Sequence, residues 1–251
     1  MQVEVTDFLH VRAAPVAKAG RPSVRGAVFD CDGLLVDSAG LWWAAYEATA
    51  ESLGRSLNGT DPASFSGMSV ELAAERLGKS LGCAVSEVEL LETLQTLVEH
   101  HPIAAMPGTT VLLEALMGRM PLGVATNAPL DVAEAALQSA GLLDFFDLLV
   151  SAEHGGEPKP APDVYVEACR LLGLQPTETI AFEDSPMGAI AARDAGMTVV
   201  AVPSEESRID ADLVVSRPDD PRVFALLGLA ADDGPGSART ETSGCSVAEK
   251  E

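Results

Sequence analysis

Short, near-continuously apolar runs alternate along most of this chain with longer segments of helical period. Six such runs lie at residues 26–30, 122–126, 146–150, 179–183, 197–201 and 212–215. Runs of that length with few polar positions are what strands buried on both faces require. Between them, residues 131–140 follow Pro129 and close at Gly141, residues 162–172 close at Gly173, and residues 186–195 run from Pro186 to Gly196. Proline at the start and glycine after the end punctuate a helix. The alternation predicts an α/β fold, an open parallel Rossmann-like sheet with helices on both faces.

One stretch breaks the alternation. From 41 to 106 no strand pattern occurs, only helical stretches at 42–53, 70–81 and 86–99. An all-helical domain is therefore expected as an insertion after the first strand, with Pro107-Gly108 as its return. The organisation that follows is an N-terminal extension (1–24), a core domain (25–40 and 107–230), a helical cap (41–106) and a tail (231–251). The tail is polar, with little to bury, and is expected to be disordered. No internal repeat is present.

Composition narrows the function. The chain has 251 residues and is 47% hydrophobic, enough for one core with a small inserted domain. Sixteen basic residues against 38 acidic ones give a net charge of −22. Such a chain repels a phosphate backbone, so nucleic acid is not expected as a partner. A small anionic substrate would need a local lysine or metal. Cys31, Cys83, Cys169 and Cys245 form no CxxC pair, which suits a reduced, cytoplasmic protein. No apolar run reaches spanning length, so no membrane partner is expected. The start Met1-Gln2-Val3-Glu4 lacks the basic-then-apolar order of a signal peptide.

Four polar groups close four of the expected strands, at the sheet edge where open α/β folds bind ligands. Asp30 and Asp32, in Asp30-Cys31-Asp32-Gly33, leave the first strand together, and Gly33 permits a tight turn close to a ligand. One carboxylate of such a pair can hold a hard cation or attack an electrophile while the other handles a proton. Thr126 and Asn127 precede a helix start, where a hydroxyl, an amide and free N–H groups suit an anion. Lys159 sits among Pro158, Pro160 and Pro162, a cation on a restricted backbone. Glu183 and Asp184 close the fourth strand and suit Mg²⁺. Each motif alone also fits an ordinary turn, cap or loop. Together they equip one site for phosphoryl transfer.

At these residues the chain resembles the haloacid dehalogenase superfamily over about residues 25–230. The strings 29–38 and 183–196 are similar to the branch that contains phosphoglycolate phosphatase and β-phosphoglucomutase, whose members carry a helical cap. The resemblance implies a phosphatase in which Asp30 attacks phosphorus and becomes a phosphoaspartate. It implies that Asp32 protonates the leaving oxygen and then activates water, and that Thr126 and Lys159 hold the phosphoryl oxygens. Mg²⁺ would be bound by Asp30, the Asp32 backbone carbonyl and Asp184, with Glu183 nearby. Asn127, Gly33, Ser38 and Trp42 are candidate contacts to a small phosphate ester.

The same resemblance separates hydrolysis from phosphate migration. Phosphomutases of this branch place a histidine four residues after the position of Ser38, where this chain has Trp42. Their cap carries a lysine and an arginine flanking a Gly-x-Ser loop, and Ser66-Gly67-Met68-Ser69-Val70 has neither. The cap holds Arg55, Arg76 and Lys79 against about nine acids, poor equipment for a second phosphate. A monophosphate phosphatase is expected, with a sugar phosphate or a phosphoglycolate-like ester as substrate. A mutase, or a non-catalytic binding protein on the same fold, is the alternative. Trp42 and Trp43 are placed either against the substrate or in the packing of the first cap helix.

Overall fold

The computed structural model describes residues 24–203 and 208–229. The expected tail lies outside these residues, as does all but the last residue of the expected N-terminal extension. The described chain forms one six-stranded sheet. Its strands are β1 (Gly26–Phe29), β2 (Leu122–Thr126), β3 (Leu148–Ser151), β4 (Thr179–Glu183), β5 (Thr198–Ala201) and β6 (Leu213–Val214), in the order β3-β2-β1-β4-β5-β6. Every pairing is parallel. β1 is therefore central, flanked by β2 and β4, and the ends of these three strands meet at one edge. The α/β expectation holds.

Alternate residues of each strand feed two separate apolar layers. Ala27, Phe29, Val124, Ile180 and Phe182 pack on one face, against α4 (Thr109–Leu116), α5 (Leu130–Ser139) and α9 (Pro221–Leu226). Val28, Ala125, Ala181 and Val199 pack on the other, against α7 (Asp163–Leu172) and α8 (Pro186–Asp194). Phe29 and Phe182 are register partners, and their rings stack at 4.6 Å. With both faces covered, β1, β2 and β4 are buried along their length, which is why their sequences read as apolar runs, while the edge strand β6 keeps Val214 exposed.

Between β1 and β2 the chain builds α1 (Ala39–Ser52), a 3₁₀ turn (Pro62–Phe65), α2 (Val70–Leu81) and α3 (Glu87–His100). α2 shows why the spacing was readable. Val70, Ala73, Ala74, Leu77 and Leu81 form its buried stripe, the Ser69 hydroxyl caps the Leu72 N–H, and Gly82 ends it in the left-handed region. These helices share an apolar cluster around Tyr46, Phe65, Leu77, Leu90 and Leu94. That cluster also takes in Val132 of α5, and Val98 of α3 reaches the sheet layer. The two chain crossings at its base run side by side, Asp37 N–H donating to the Ala104 carbonyl at 2.9 Å and Met106 N–H to that of Leu35 at 2.9 Å.

Two local expectations are corrected. The third strand begins at Leu148 rather than 146, because Leu143–Phe145 coils into a 3₁₀ turn and Asp147 closes the entry to β2, its N–H donating to the Leu122 carbonyl at 2.8 Å. Helix α4 stands where the pattern showed no element. It is only eight residues long, and its exposed face is just Thr110 and Glu114, too short a stretch to establish a period. A four-residue turn, α6 (Ala152–Gly155), follows β3. Among the described residues no helix is long and apolar enough to cross a membrane.

Candidate active site

The polar residues at the strand ends converge. Asp30 follows the end of β1, Thr126 ends β2, Glu183 ends β4 and Asp184 follows it. Lys159 arrives on the loop before α7. All but Glu183 line one cavity of about 330 Å³, which runs from the sheet edge to the helical segment. Lys159 is the hub. Its ammonium donates to Asp30 Oδ1 at 2.6 Å, to Glu183 Oε1 at 2.7 Å and to the Tyr165 hydroxyl at 3.2 Å, and all four side chains are buried. Its Nζ also lies 4.8 Å from the Tyr165 ring centroid.

These charges reshape one another. Burial pushes the Asp30 carboxyl up to about 7; Lys159 pulls it down and Glu183 pushes it further up. Burial also works against the Lys159 ammonium, but Asp30 and Glu183 outweigh it and hold the side chain charged. The Asp32 carboxyl is raised by burial and held back by two donors, the Ser38 hydroxyl at 2.5 Å and the Trp42 indole N–H at 2.9 Å, both on Oδ1. Among the described residues, four carboxylates thus gather around the Lys159 ammonium. Ligand oxygens of Asp30, Glu183 and Asp184 lie within 4.8 Å of one another, and all three residues are buried. An all-oxygen, acid-rich donor set of this kind fits a hard divalent cation.

The candidate substrate contacts Gly33, Ser38, Trp42 and Asn127 all line the cavity, and each also has partners within the protein. Ser38 and Trp42, assigned to substrate, both hold Asp32. Asn127, likewise assigned, braces the loop. Its Oδ1 accepts from Lys159 N–H at 2.8 Å, and its Nδ2 donates to the carbonyls of Lys159 at 3.2 Å and Gly67 at 2.8 Å. The last bond ties the sheet edge to the helical segment. Gly33 has φ +79°, and its N–H is spent on the Val36 carbonyl at 3.0 Å. A Cβ there would stand 2.3 Å from Asp184 Oδ2, so this glycine makes room for an acid, and it lines the cavity as well. Thr126 Oγ1 accepts the Ala128 N–H at 3.0 Å and lines the cavity. Trp43 also lines the cavity while packing on Phe65 and Tyr46.

Sequence reasoning missed four residues here. Tyr165 donates to Glu183 Oε1 at 2.5 Å, and the Ser185 hydroxyl donates to Glu183 Oε2 at 3.2 Å, so both oxygens of that acid are held. Gly188 lies so close to Glu183 that a Cβ would meet Oε1 at 1.8 Å. Tyr46 lines the cavity from α1. One signal was available: the sequence holds only two tyrosines, and both stand at this site.

Known proteins share this chain's pattern. The sequence model of the haloacid dehalogenase-like hydrolase family matches residues 27–202. Validoxylamine A 7'-phosphate phosphatase of Streptomyces hygroscopicus subsp. limoneus is 32% identical over 195 residues, covering 75% of this chain and 92% of that protein. Hexitol phosphatase B of Escherichia coli (strain K12) is 30% identical over 218 residues, covering 84% and 96%. The crystal structure of CbbY from Rhodobacter sphaeroides in complex with phosphate superimposes with a TM-score of 0.69 at 24% identity, covering 82% of this chain and all of that one.

Proposed function

Since the chain belongs to the haloacid dehalogenase-like hydrolases and is a phosphoric monoester hydrolase of that family, we propose that it cleaves a small organic phosphate ester, a sugar phosphate or a phosphoglycolate-like ester, through a phosphoaspartate on Asp30. The carrying observation is the buried Asp30–Lys159 contact at the sheet end of a cavity that Asp32 also lines. An Asp30 oxygen attacks phosphorus as the bond from phosphorus to the leaving oxygen breaks. Asp32 gives its proton to that oxygen. In the second half Asp32 takes a proton from water, the water oxygen bonds to phosphorus, and inorganic phosphate leaves Asp30 free. Thr126 and Lys159 hold the phosphoryl oxygens throughout.

Mg²⁺ would be held by Asp30, Asp184 and the Asp32 carbonyl, with Glu183 adding charge nearby, its oxygens already held by Lys159, Tyr165 and Ser185. Bound there, it would offset the repulsion between these carboxylates and an anionic ester. Phosphate release from a panel of esters, with and without Mg²⁺, tests the reading, and hydroxylamine trapping of an acyl phosphate tests the intermediate. Full activity in excess chelator counts against the metal. A site that binds phosphate but releases none from any ester favours a binding protein.

Residues 41–106 serve in this reading as a cap that closes over the site. Their shared apolar cluster, the paired crossings at their base and the Asn127–Gly67 hydrogen bond support it. Closure would exclude water while the ester is cleaved. Hydrogen exchange near residues 35–37 and 104–106 should slow when a phosphate analogue such as vanadate binds. Unchanged exchange there argues for a fixed layer.

A further inference from the structure

The two ends of the cavity differ in chemistry. The sheet end presents the carboxylates and Lys159. The helical end presents Trp42, Trp43, Tyr46, Phe65 and Met68. Among the described residues that line it, Lys159 is the sole cation, and its ammonium is already bound by Asp30 and Glu183. Asp37 adds a further acid to the lining. A carboxylate or second phosphate on the far side of the substrate would be desolvated against aromatic rings with no counter-charge in the lining; Arg76, 5.9 Å from the Phe65 ring centroid, stands outside it.

Tyr46 supplies the polar exception. It is only 3% exposed, and its ring packs on Phe65 at 4.6 Å and on Trp43 at 6.3 Å. Burial, with the nearby charge of Asp32, keeps its phenol protonated and able to donate. Among the described residues its hydroxyl makes no hydrogen bond, and it is not sealed in the packing, since Tyr46 lines the cavity. The rings around it suit the C–H faces of a ring or carbon chain, and the hydroxyl suits a neutral polar group between them.

Resting on the phosphatase reading, we propose that Tyr46 determines specificity by hydrogen bonding a hydroxyl on an uncharged organic part of the substrate, so that the site selects a polyol or sugar monophosphate against a carboxylated ester or a bisphosphate. The test measures kcat/KM for a hexitol phosphate, hexyl phosphate, phosphoglycolate and a hexose bisphosphate in the unmodified protein and in Tyr46→Phe. The hexitol ester should exceed both anionic esters by about tenfold or more. The hexitol-to-hexyl ratio should fall about fivefold in Tyr46→Phe, the worth of one neutral hydrogen bond. Preference for phosphoglycolate or the bisphosphate, or an unchanged ratio, overturns the proposal. Should Tyr46→Phe fail to fold, hexitol phosphates deoxygenated at one carbon at a time give the same answer on the unmodified protein. One must lose about fivefold, and an even response overturns the assignment. Release from none of the esters refutes the phosphatase reading itself and this inference with it.

Discussion

The Trp42 indole N–H and the Ser38 hydroxyl converge on a single oxygen of Asp32, at 2.9 and 2.5 Å. Oδ1 is thereby occupied, and in the proposed mechanism Oδ2 would be the oxygen that carries a proton to the leaving group. Both donors come from the start of the helical segment, so in that mechanism the proposed cap would also aim the acid. Trp42→Phe keeps the ring and removes the N–H. It should lower kcat on an alkyl phosphate about tenfold, since hydrogen bonds to charged groups are worth about 1.5–3 kcal/mol. The first turnover of nitrophenyl phosphate, whose leaving group needs no proton, should fall much less. Trp42→His restores a donor and should recover part of the loss. Equal losses on both esters would reduce Trp42 to packing.

Asp30 and Asp32 are separable by the same pair of esters. Asp30→Asn should abolish turnover of both, because an amide cannot form the acyl phosphate. Asp32→Asn should fail on the alkyl ester, yet release up to one equivalent of nitrophenolate and then stall, because water lacks its base. Stopped-flow absorbance reads the burst. A burst from Asp30→Asn would remove Asp30 as nucleophile.

The close approach of Asp30, Glu183 and Asp184, with ligand oxygens within 4.8 Å of one another, predicts a response to metal that needs no substrate. Mg²⁺ should raise the melting temperature of the unmodified protein by binding only the folded state. Asp184→Asn should raise the Mg²⁺ concentration needed for half-maximal activity at least tenfold, since a charged ligand is lost. Calorimetry with and without Mg²⁺ checks the first, and a metal titration of activity the second. A melting temperature indifferent to millimolar Mg²⁺ would contradict a cation site at these acids.

Glycine at 188 is a steric requirement of Glu183. The Cβ of Gly188→Ala would stand 1.8 Å from Oε1, 2.0 Å from Cδ and 2.1 Å from Oε2, so the carboxylate must leave its place beside Lys159 and Tyr165. The expected cost is about 3 kcal/mol or more, with a melting temperature lower by roughly 10 °C. Gly40 is the control. It lies in α1 with nothing within 4 Å of its added Cβ, so Gly40→Ala should be neutral or stabilising by up to about 1 kcal/mol. Thermal melts of the two variants decide. Similar losses would remove the argument from packing around Glu183.

The strands and the polar residues at their ends were legible because a parallel sheet covered on both faces leaves a one-dimensional trace. An apolar run stops where the chain meets the ligand edge, and Asp30, Thr126 and Glu183 stand at those stops. The helices of residues 41–106 were legible for the same reason, through stripes such as Val70, Ala73, Ala74, Leu77 and Leu81. Helix α4 left no such trace, since two turns with only Thr110 and Glu114 exposed are too short to show a period. What each polar atom binds was decided in three dimensions. Lys159 meets Asp30 across 129 positions, and Asn127 reaches Gly67 across 60. Trp42, Tyr46 and Tyr165 count as apolar in any pattern, yet each carries one polar atom whose direction only packing sets. Hydrophobic burial selects which faces turn inward and can be read along the chain. Hydrogen bonds and ion pairs depend on distances of about 3 Å between segments remote in sequence, and only the folded arrangement of the sheet and its helices brings those atoms together.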